Sequence, residues 1–140
     1  MALSVTVART KERCGITDSA YDTVIDNLID DVVPVVEFSL QEDLVADTAN
    51  TGLQATLNLG ALEIVCGEFM ALKLREPGAA DEVHIGEVAV VPYRGYDPAD
   101  PFSLIRKGWK RLRPFLKIDP RIGTTGGVGG IGDRTLEEDL

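Results

Sequence analysis

The longest stretch with a helical hydrophobic period is residues 53–74, LQATLNLGALEIVCGEFMALKL. Apolar residues recur there at the three- and four-residue spacing of an α-helix; they include Leu57, Ala61, Leu62, Ile64, Val65, Phe69 and Leu72. Gly60 and Gly67 lie seven residues apart on the same face, where small residues permit a second helix to approach closely. The segment therefore predicts a long core helix that ends at the EPG sequence of residues 76–78.

Upstream of this segment, residues 21–40 predict a second long amphipathic helix. Its apolar positions are Tyr21, Val24, Ile25, Leu28, Ile29, Val32, Val36 and Leu40. Pro34 should kink or restart this helix, because proline lacks the amide N–H and clashes with the preceding turn. Residues 5–14 predict a short helix or an entry strand that ends at Gly15. The polar residues 41–51 predict a turn or a helix start. The candidate N-caps are Thr17, Asp18 and Ser19 for the second helix, and Asp47, Thr48 and Thr51 for the long one.

Downstream, residues 83–91 are β-branched and alternate in polarity, which predicts a strand. Its partner edge would come from residues 3–8 or from a neighbouring chain. The proline-rich residues 92–101 predict a hinge. Residues 102–117 then predict a basic amphipathic helix ended or bent by Pro114. Its apolar face is Phe102, Ile105, Trp109, Leu112 and Leu116.

The expected fold is mainly α. It is a small bundle of two main helices and a C-terminal helix, with one β-strand or hairpin and an extended C-terminal arm. The expected parts are a helical core over 1–91 that includes the strand 83–91, the hinge 92–101, the basic helix 102–117 and the arm 118–140. The arm shows no periodicity, and six of the ten residues 123–132 are glycine, so we expect it to be disordered in isolation.

Length and composition limit the class of protein. The 140 residues favour one domain, and 44% hydrophobic with 26% charged residues is ordinary for a globular chain. Two cysteines are too few for a disulfide scaffold, and neither lies in a CxxC motif of a zinc site. We find no apolar run near the ~20 residues of a membrane span and no signal peptide. The expected compartment is the cytosol.

Charge is unevenly distributed along the chain, whose net charge is -9. Residues 1–100 hold 6 basic and 18 acidic side chains, whereas residues 101–117 hold 6 basic and no acidic ones. The total charge argues against nucleic-acid binding as the main task. The basic helix itself could be a solvated surface helix, a nucleic-acid contact, a membrane-associated element or a docking element for an acidic protein. Tryptophan and phenylalanine among arginines favour docking.

Few residues suggest catalysis or metal binding. Asp18, Asp22, Asp26 and Asp30 form an i, i+4 series of carboxylates that could bind a metal, but the more favoured interpretation is a solvated or channel-facing acidic stripe. The single histidine, His84, lacks a placed nucleophile and is interpreted as structural. Cys14 and Cys66 are interpreted as buried small apolar residues. The glycine-rich tail lacks the Lys-Ser/Thr pair of a phosphate loop.

Three motifs, in this order, carry a resemblance to a known family. They are DTVIDNLIDD at 22–31, HIGEV at 84–88 and the segment GWKRLRPF at 108–115. Together with the order of predicted elements over residues 5–117, they resemble the head-to-tail adaptor (connector) proteins of long-tailed bacteriophages. The glycine-rich residues 123–132 have no counterpart in this resemblance.

The resemblance implies a structural virion protein without catalytic residues, metal or cofactor. Such proteins form a ring, usually a dodecamer, beneath the portal protein at the neck of the virion, after assembly in the host cytoplasm. The ring extends the DNA channel used in viral genome packaging and receives a stopper or tail-completion protein, while DNA passes without sequence-specific binding and no membrane is involved. The residues expected to dock on the portal are Arg106, Trp109, Lys110, Arg111, Arg113, Phe115 and Ile118.

Two further roles follow from this expectation. An unpaired strand suits pairing between ring subunits, through Val83, Ile85, Val88 and Val90. The stripe of Asp18, Asp22, Asp26 and Asp30 could face the channel, where negative charge would repel DNA phosphates. The alternative classes are a soluble helical adaptor or regulator that binds an acidic protein, and a small enzyme or metal protein built on the aspartates.

Overall fold

The computed structural model describes residues 2–75, 83–85, 88–90 and 97–117. The chain is mainly helical, as predicted. The helices are α1 (Val7–Cys14), α2 (Asp22–Ser39), α3 (Glu42–Ala46), α4 (Thr51–Leu74) and α5 (Leu104–Leu112), and a 3-10 turn follows at Arg113–Phe115. The strands β1 (Val83–Ile85) and β2 (Val88–Val90) pair antiparallel, with Val83 opposite Val90 and Ile85 opposite Val88.

Helix α4 is the centre of the fold, and α1, α2 and α5 all pack against it. Every residue from Gly60 to Gly67 is buried, because α4 has neighbours on several sides. The opposing core side chains of α2 and the residue after it are Ile25, Ile29, Val33, Val36 and Leu40. Helix α2 runs without a break through Pro34, so of the predicted kink or restart at this residue the restart is wrong and the kink stays a prediction.

By length and composition alone, α4 would be long and apolar enough to cross a membrane. The expectation that no segment is long and apolar enough for a membrane span is therefore wrong. In the folded chain 67% of the apolar window is buried inside the protein. The core helix of a small bundle needs the same apolar composition as a membrane span, because both are surrounded by nonpolar groups.

Glycines set the distance between α4 and α5. A Cβ on Gly108 would lie 2.6 Å from the carbonyl oxygen of Gly60, and a Cβ on Gly60 would lie 2.5 Å from Cγ of Leu112. A Cβ on Gly67 would lie 2.7 Å from the backbone nitrogen of Ile105. The predicted close approach at Gly60 and Gly67 is confirmed, and α5 contributes a third glycine to it.

The N-caps of the two long helices differ from those predicted, whereas α5 ends two residues before Pro114, as predicted. In α1, Thr6 accepts the amide of Arg9 at 3.1 Å, and Gly15 ends the helix with a left-handed φ of 75°, as predicted. The predicted caps of the long helices are wrong. Helix α2 begins after Tyr21 without a side-chain cap, because Asp18 accepts the amide of Ala20 in the preceding turn. Asn50 caps α4 by accepting the amide of Leu53 at 3.2 Å.

The strand region was expected to be one β-strand or a hairpin within residues 83–91. Two three-residue strands pair with each other there. Residues 3–8 are not their partner edge, because the amide of Leu3 donates to Glu37, that of Ser4 donates to Asn58, and α1 begins at Val7. Pairing with a neighbouring chain stays a prediction.

The structure describes the last five residues of the predicted hinge, 97–101, of which the first three are exposed and Asp100 and Pro101 are buried. The two carboxylate oxygens of Asp100 accept the amides of Ile105 at 3.0 Å and Arg106 at 2.9 Å, so this side chain caps the start of α5. The helix therefore starts at Leu104, two residues later than predicted. Residues 92–96 of the hinge and the predicted arm 118–140 lie outside the described residues.

After the 3-10 turn, the chain runs along the end of α2. The amide of Gln41 donates to the carbonyl of Phe115 at 3.0 Å, and the amide of Lys117 donates to that of Ser39 at 2.9 Å. Leu40 and Leu116 form the isolated β-bridge between these two hydrogen bonds. The end of the basic segment is thus fixed to the core by backbone hydrogen bonds.

Candidate docking surface

Helix α5 divides its basic residues between solvent and the core. Its core-facing positions include Gly108 and Leu112, which are buried against α4. On the outer side Arg106, Lys107 and Lys110 are exposed and make no ion pair with any residue that the structure describes. These three residues form the basic face.

Arg111 belongs to the core instead. Its Nε donates to Oε1 of Glu63 at 2.5 Å, and its Nη2 lies 3.5 Å from Oε2. The Glu63 side chain is 0% exposed, and Arg13 Nη2 lies 3.9 Å from its Oε2. This hydrogen-bonded contact with Glu63 raises the pKa of Arg111. Because the charge of Arg111 is compensated within the chain, this residue is less available to a partner than the cations of the basic face, and its role in docking stays a prediction.

The other predicted docking residues are distributed unevenly. Trp109 and Phe115 are half-buried and pack against the hydrophobic core. Arg113 is half-buried, and its Nε and Nη2 have no hydrogen-bond partner among the described residues. Ile118 lies outside the described part of the chain. Of the predicted set, the structure therefore leaves Arg106 and Lys110 as the freely exposed cations.

The aspartate series is shorter than predicted. Asp18 precedes α2 and is exposed, so only Asp22, Asp26 and Asp30 follow the helical spacing. Asp22 lies 2.9 Å from Nζ of Lys11 in an ion pair that links α2 to α1. Asp26 and Asp30 are exposed. Among the residues described, no group of three His, Cys, Asp or Glu side chains is placed to hold a metal ion.

The predicted subunit-pairing residues lie in the hairpin. Val83 and Ile85 are in β1, and Val88 and Val90 are in β2. Their backbones face each other in register. β1 also lies against α4.

An apolar patch on α2 was not predicted. Val35 and Phe38 are 58% and 76% exposed, at positions to which the helical period assigns polar residues. Phe38 borders a groove of about 440 Å³, which is lined by Ala2, Pro34, Glu37, Phe38, Glu42, Val45, Ala46 and Lys117. The ammonium of Lys117 lies 4.5 Å from the centre of the Phe38 ring. This patch could have been found in the sequence, because an apolar residue that lies outside the buried stripe of its helix is a signal of an exposed apolar surface.

The two cysteines lie together between α1 and α4. Cys66 is buried, as predicted, whereas Cys14 is only half-buried. A hydrogen bond between the two thiols lowers the pKa of Cys14. The same hydrogen bond, together with burial, raises the pKa of Cys66.

Comparison with protein-family models, curated proteins and solved structures gives no significant match.

Proposed function

We propose that this chain is a structural, non-enzymatic protein of a bacteriophage neck, a head-to-tail adaptor. Its copies would form a ring beneath the portal, extend the DNA channel and link the capsid to a stopper and tail. The single observation that carries the proposal is the basic face, Arg106, Lys107 and Lys110, on a chain whose first hundred residues are strongly acidic. The basic face fits an acidic surface on a partner protein, because opposite electrostatic potentials speed association and fix the register of the two surfaces.

Two other surfaces support an assembly role. The exposed Val35 and Phe38 offer the kind of apolar contact that subunit interfaces bury. Asp26 and Asp30 project carboxylates into solvent, which suits a wall past which DNA moves without adhering. In this proposal the hairpin residues Val83, Ile85, Val88 and Val90 pair between subunits, and residues 118–140 form the arm on the portal side.

Charge reversal on the basic face tests the docking role. We expect the double variant Lys107→Glu/Lys110→Glu of the full chain to lose at least ~10-fold in affinity for the portal ring of the same virion, because rim charges act through electrostatic attraction. Co-sedimentation with purified portal rings measures this loss of affinity. The loss should be smaller at high salt, because ions screen the charges. Arg111 is not used, because a glutamate there would face Glu63 and destabilise the fold.

The matched control is Arg9→Glu on α1. Arg9 is also an exposed cation, with 65% of its side chain accessible, and lies outside the basic face. Its reversal should leave portal binding unchanged. Equal binding by the double variant and the native chain would contradict the proposed docking surface.

The second candidate is a soluble helical adaptor or regulator that binds one acidic protein through the same basic face. The mass of the protein in solution, with and without portal rings, separates the two. A neck adaptor should join the portal as a closed ring of several copies. A soluble adaptor should not associate with the portal at any concentration.

A further inference from the structure

The last turn of α1 lies over the middle of α4. Arg13 Nη2 is 3.9 Å from Oε2 of Glu63, which fixes this contact. Cys14 follows Arg13, and Cys66 lies one helical turn after Glu63, on the same side of α4. Cys14 packs against the core cluster to which Cys66 belongs, and both thiols are free. The contact between α1 and α4 and the side-chain hydrogen bond between the two thiols bring together two cysteines that are 52 positions apart in the sequence.

The two thiols have different surroundings. Cys66 is 1% exposed, whereas Cys14 is only partly covered. The hydrogen bond from Cys66 and the nearby charge of Arg13 lower the pKa of Cys14, while the pKa of Cys66 is raised. Thiolate character and access decide which cysteine attacks first. Cys14, the more exposed of the two, is therefore the thiol that a disulfide in solution reaches first, and Cys66 lies behind it.

We propose that Cys14 and Cys66 form a thiol–disulfide exchange site for small-molecule disulfides. In the first step the Cys14 thiolate attacks one sulfur of the small disulfide, the S–S bond breaks, and one thiolate leaves. In the second step the Cys66 sulfur attacks the mixed disulfide on Cys14 and displaces the second thiolate, which takes up the proton of Cys66. The protein dithiol is oxidised to a disulfide, and the small disulfide is reduced to two thiols.

The bond would connect α1 to α4 and enclose α2 and α3 in a covalent loop. Closing a loop of this length restricts the unfolded chain, so we expect the midpoint of thermal unfolding to rise by about 5–10 °C. This site does not depend on the proposed role in the phage neck, because neither cysteine lies on the basic face.

Oxidised glutathione is the probe. We expect treatment of the folded, full-length chain, followed by acid quenching and alkylation, to give a species that has lost two hydrogens and takes up no alkylating agent. Peptide mapping should place the bond between Cys14 and Cys66. A wild-type chain that instead keeps a glutathionyl group, or that forms covalent dimers, would overturn the proposal.

Serine variants separate the two roles. Cys66→Ser should accumulate a single glutathionyl group on Cys14, because the resolving thiol is gone. Cys14→Ser should react at least ~10-fold more slowly than the native chain, since Cys66 is buried. Equal rates for Cys14→Ser and the native chain would contradict the assignment.

The dependence on folding is the last control. In urea the yield of the internal disulfide relative to the mixed disulfide should fall at least ~10-fold, because unfolding separates the two thiols. A yield in urea equal to that of the folded chain would show that the helix contact has no part in the reaction.

Discussion

Glu63 is a fully buried charged residue among the apolar side chains of the core. It lies in the middle of α4, fully buried, with two arginines from α1 and α5 at its carboxylate. A carboxylate in this position must be compensated by ion pairs and hydrogen bonds, because desolvation of a bare charge costs several kcal/mol. Glu63 thus connects α1, α4 and α5 through ion pairs as well as through packing.

We expect Glu63→Gln to lower the free energy of unfolding by about 2 kcal/mol. This loss is smaller than the loss from breaking a fully buried ion pair, because the Arg111 side chain is 34% exposed and water screens its charge. Urea unfolding measures the effect as a lower midpoint with an unchanged slope. Glu68→Gln, on the same helix but half-buried and outside any described ion pair, should change stability by less than about 0.5 kcal/mol. Equal effects of the two variants would refute the structural role of Glu63.

The Glu63–Arg111 pair also marks a limit of sequence analysis. The lone carboxylate among apolar residues 61–65 signals a buried charge, but no local pattern selects its partner. Arg111 is one of six cations in residues 101–117, and which of them points inward depends on the crossing of α4 and α5. Only the structure shows that Arg111 points inward and does not belong to the basic face.

Helices α4 and α5 approach each other so closely that a side chain at their crossing would collide with backbone. We expect Gly108→Ala to destabilise the protein by about 1–3 kcal/mol, because its Cβ would lie 2.6 Å from the Gly60 carbonyl oxygen. That cost outweighs the gain of about 1 kcal/mol in helix propensity. Thermal unfolding followed by circular dichroism provides the measurement.

Gly52→Ala is the matched control within α4. Its Cβ would meet only Asn50 Oδ1 at 3.9 Å, an ordinary contact. This variant should gain up to about 1 kcal/mol, because alanine favours helix where glycine does not. A destabilised Gly52→Ala, or a neutral Gly108→Ala, would contradict the close crossing.

Helices were easier to predict than their ends. The extents of α2 and α4 follow from hydrophobic period, which depends on many residues at once. The start of α5 is capped by Asp100, a residue within the predicted hinge whose carboxylate accepts two amides of the helix. A capping residue that lies three or more positions before its helix is not part of the hydrophobic period from which helices are predicted. The choice between one strand and a hairpin stayed open for a similar reason, because one alternating run can form either.

The chain as a whole presents a basic face and an apolar patch to its surroundings. If Val35 and Phe38 belong to a subunit interface, Phe38→Asp should weaken self-association at least ~10-fold, since it places a charge in an apolar contact. The unfolding midpoint of the isolated chain should stay nearly constant, because Phe38 is 76% exposed. Sedimentation velocity over a range of concentrations measures both the monomer and the assembly.

Thr23→Asp is the control for added negative charge. Thr23 is also exposed on α2 but lies near its first turn, away from the groove. It should leave self-association unchanged. Equal association of the Phe38→Asp chain and the native chain would exclude the apolar patch as an interface.

The groove beside Phe38 also joins distant parts of the chain. Ala2 and Lys117, which are 115 positions apart in the sequence, both line it. The amide of Ala2 donates to Glu37, while the amide of Lys117 donates to the carbonyl of Ser39, so both segments are held on the last turns of α2. Contacts between residues so far apart in the sequence exist only in the folded chain, because unfolding separates them. A molecule that fills this groove should therefore bind the folded chain alone and raise its unfolding midpoint.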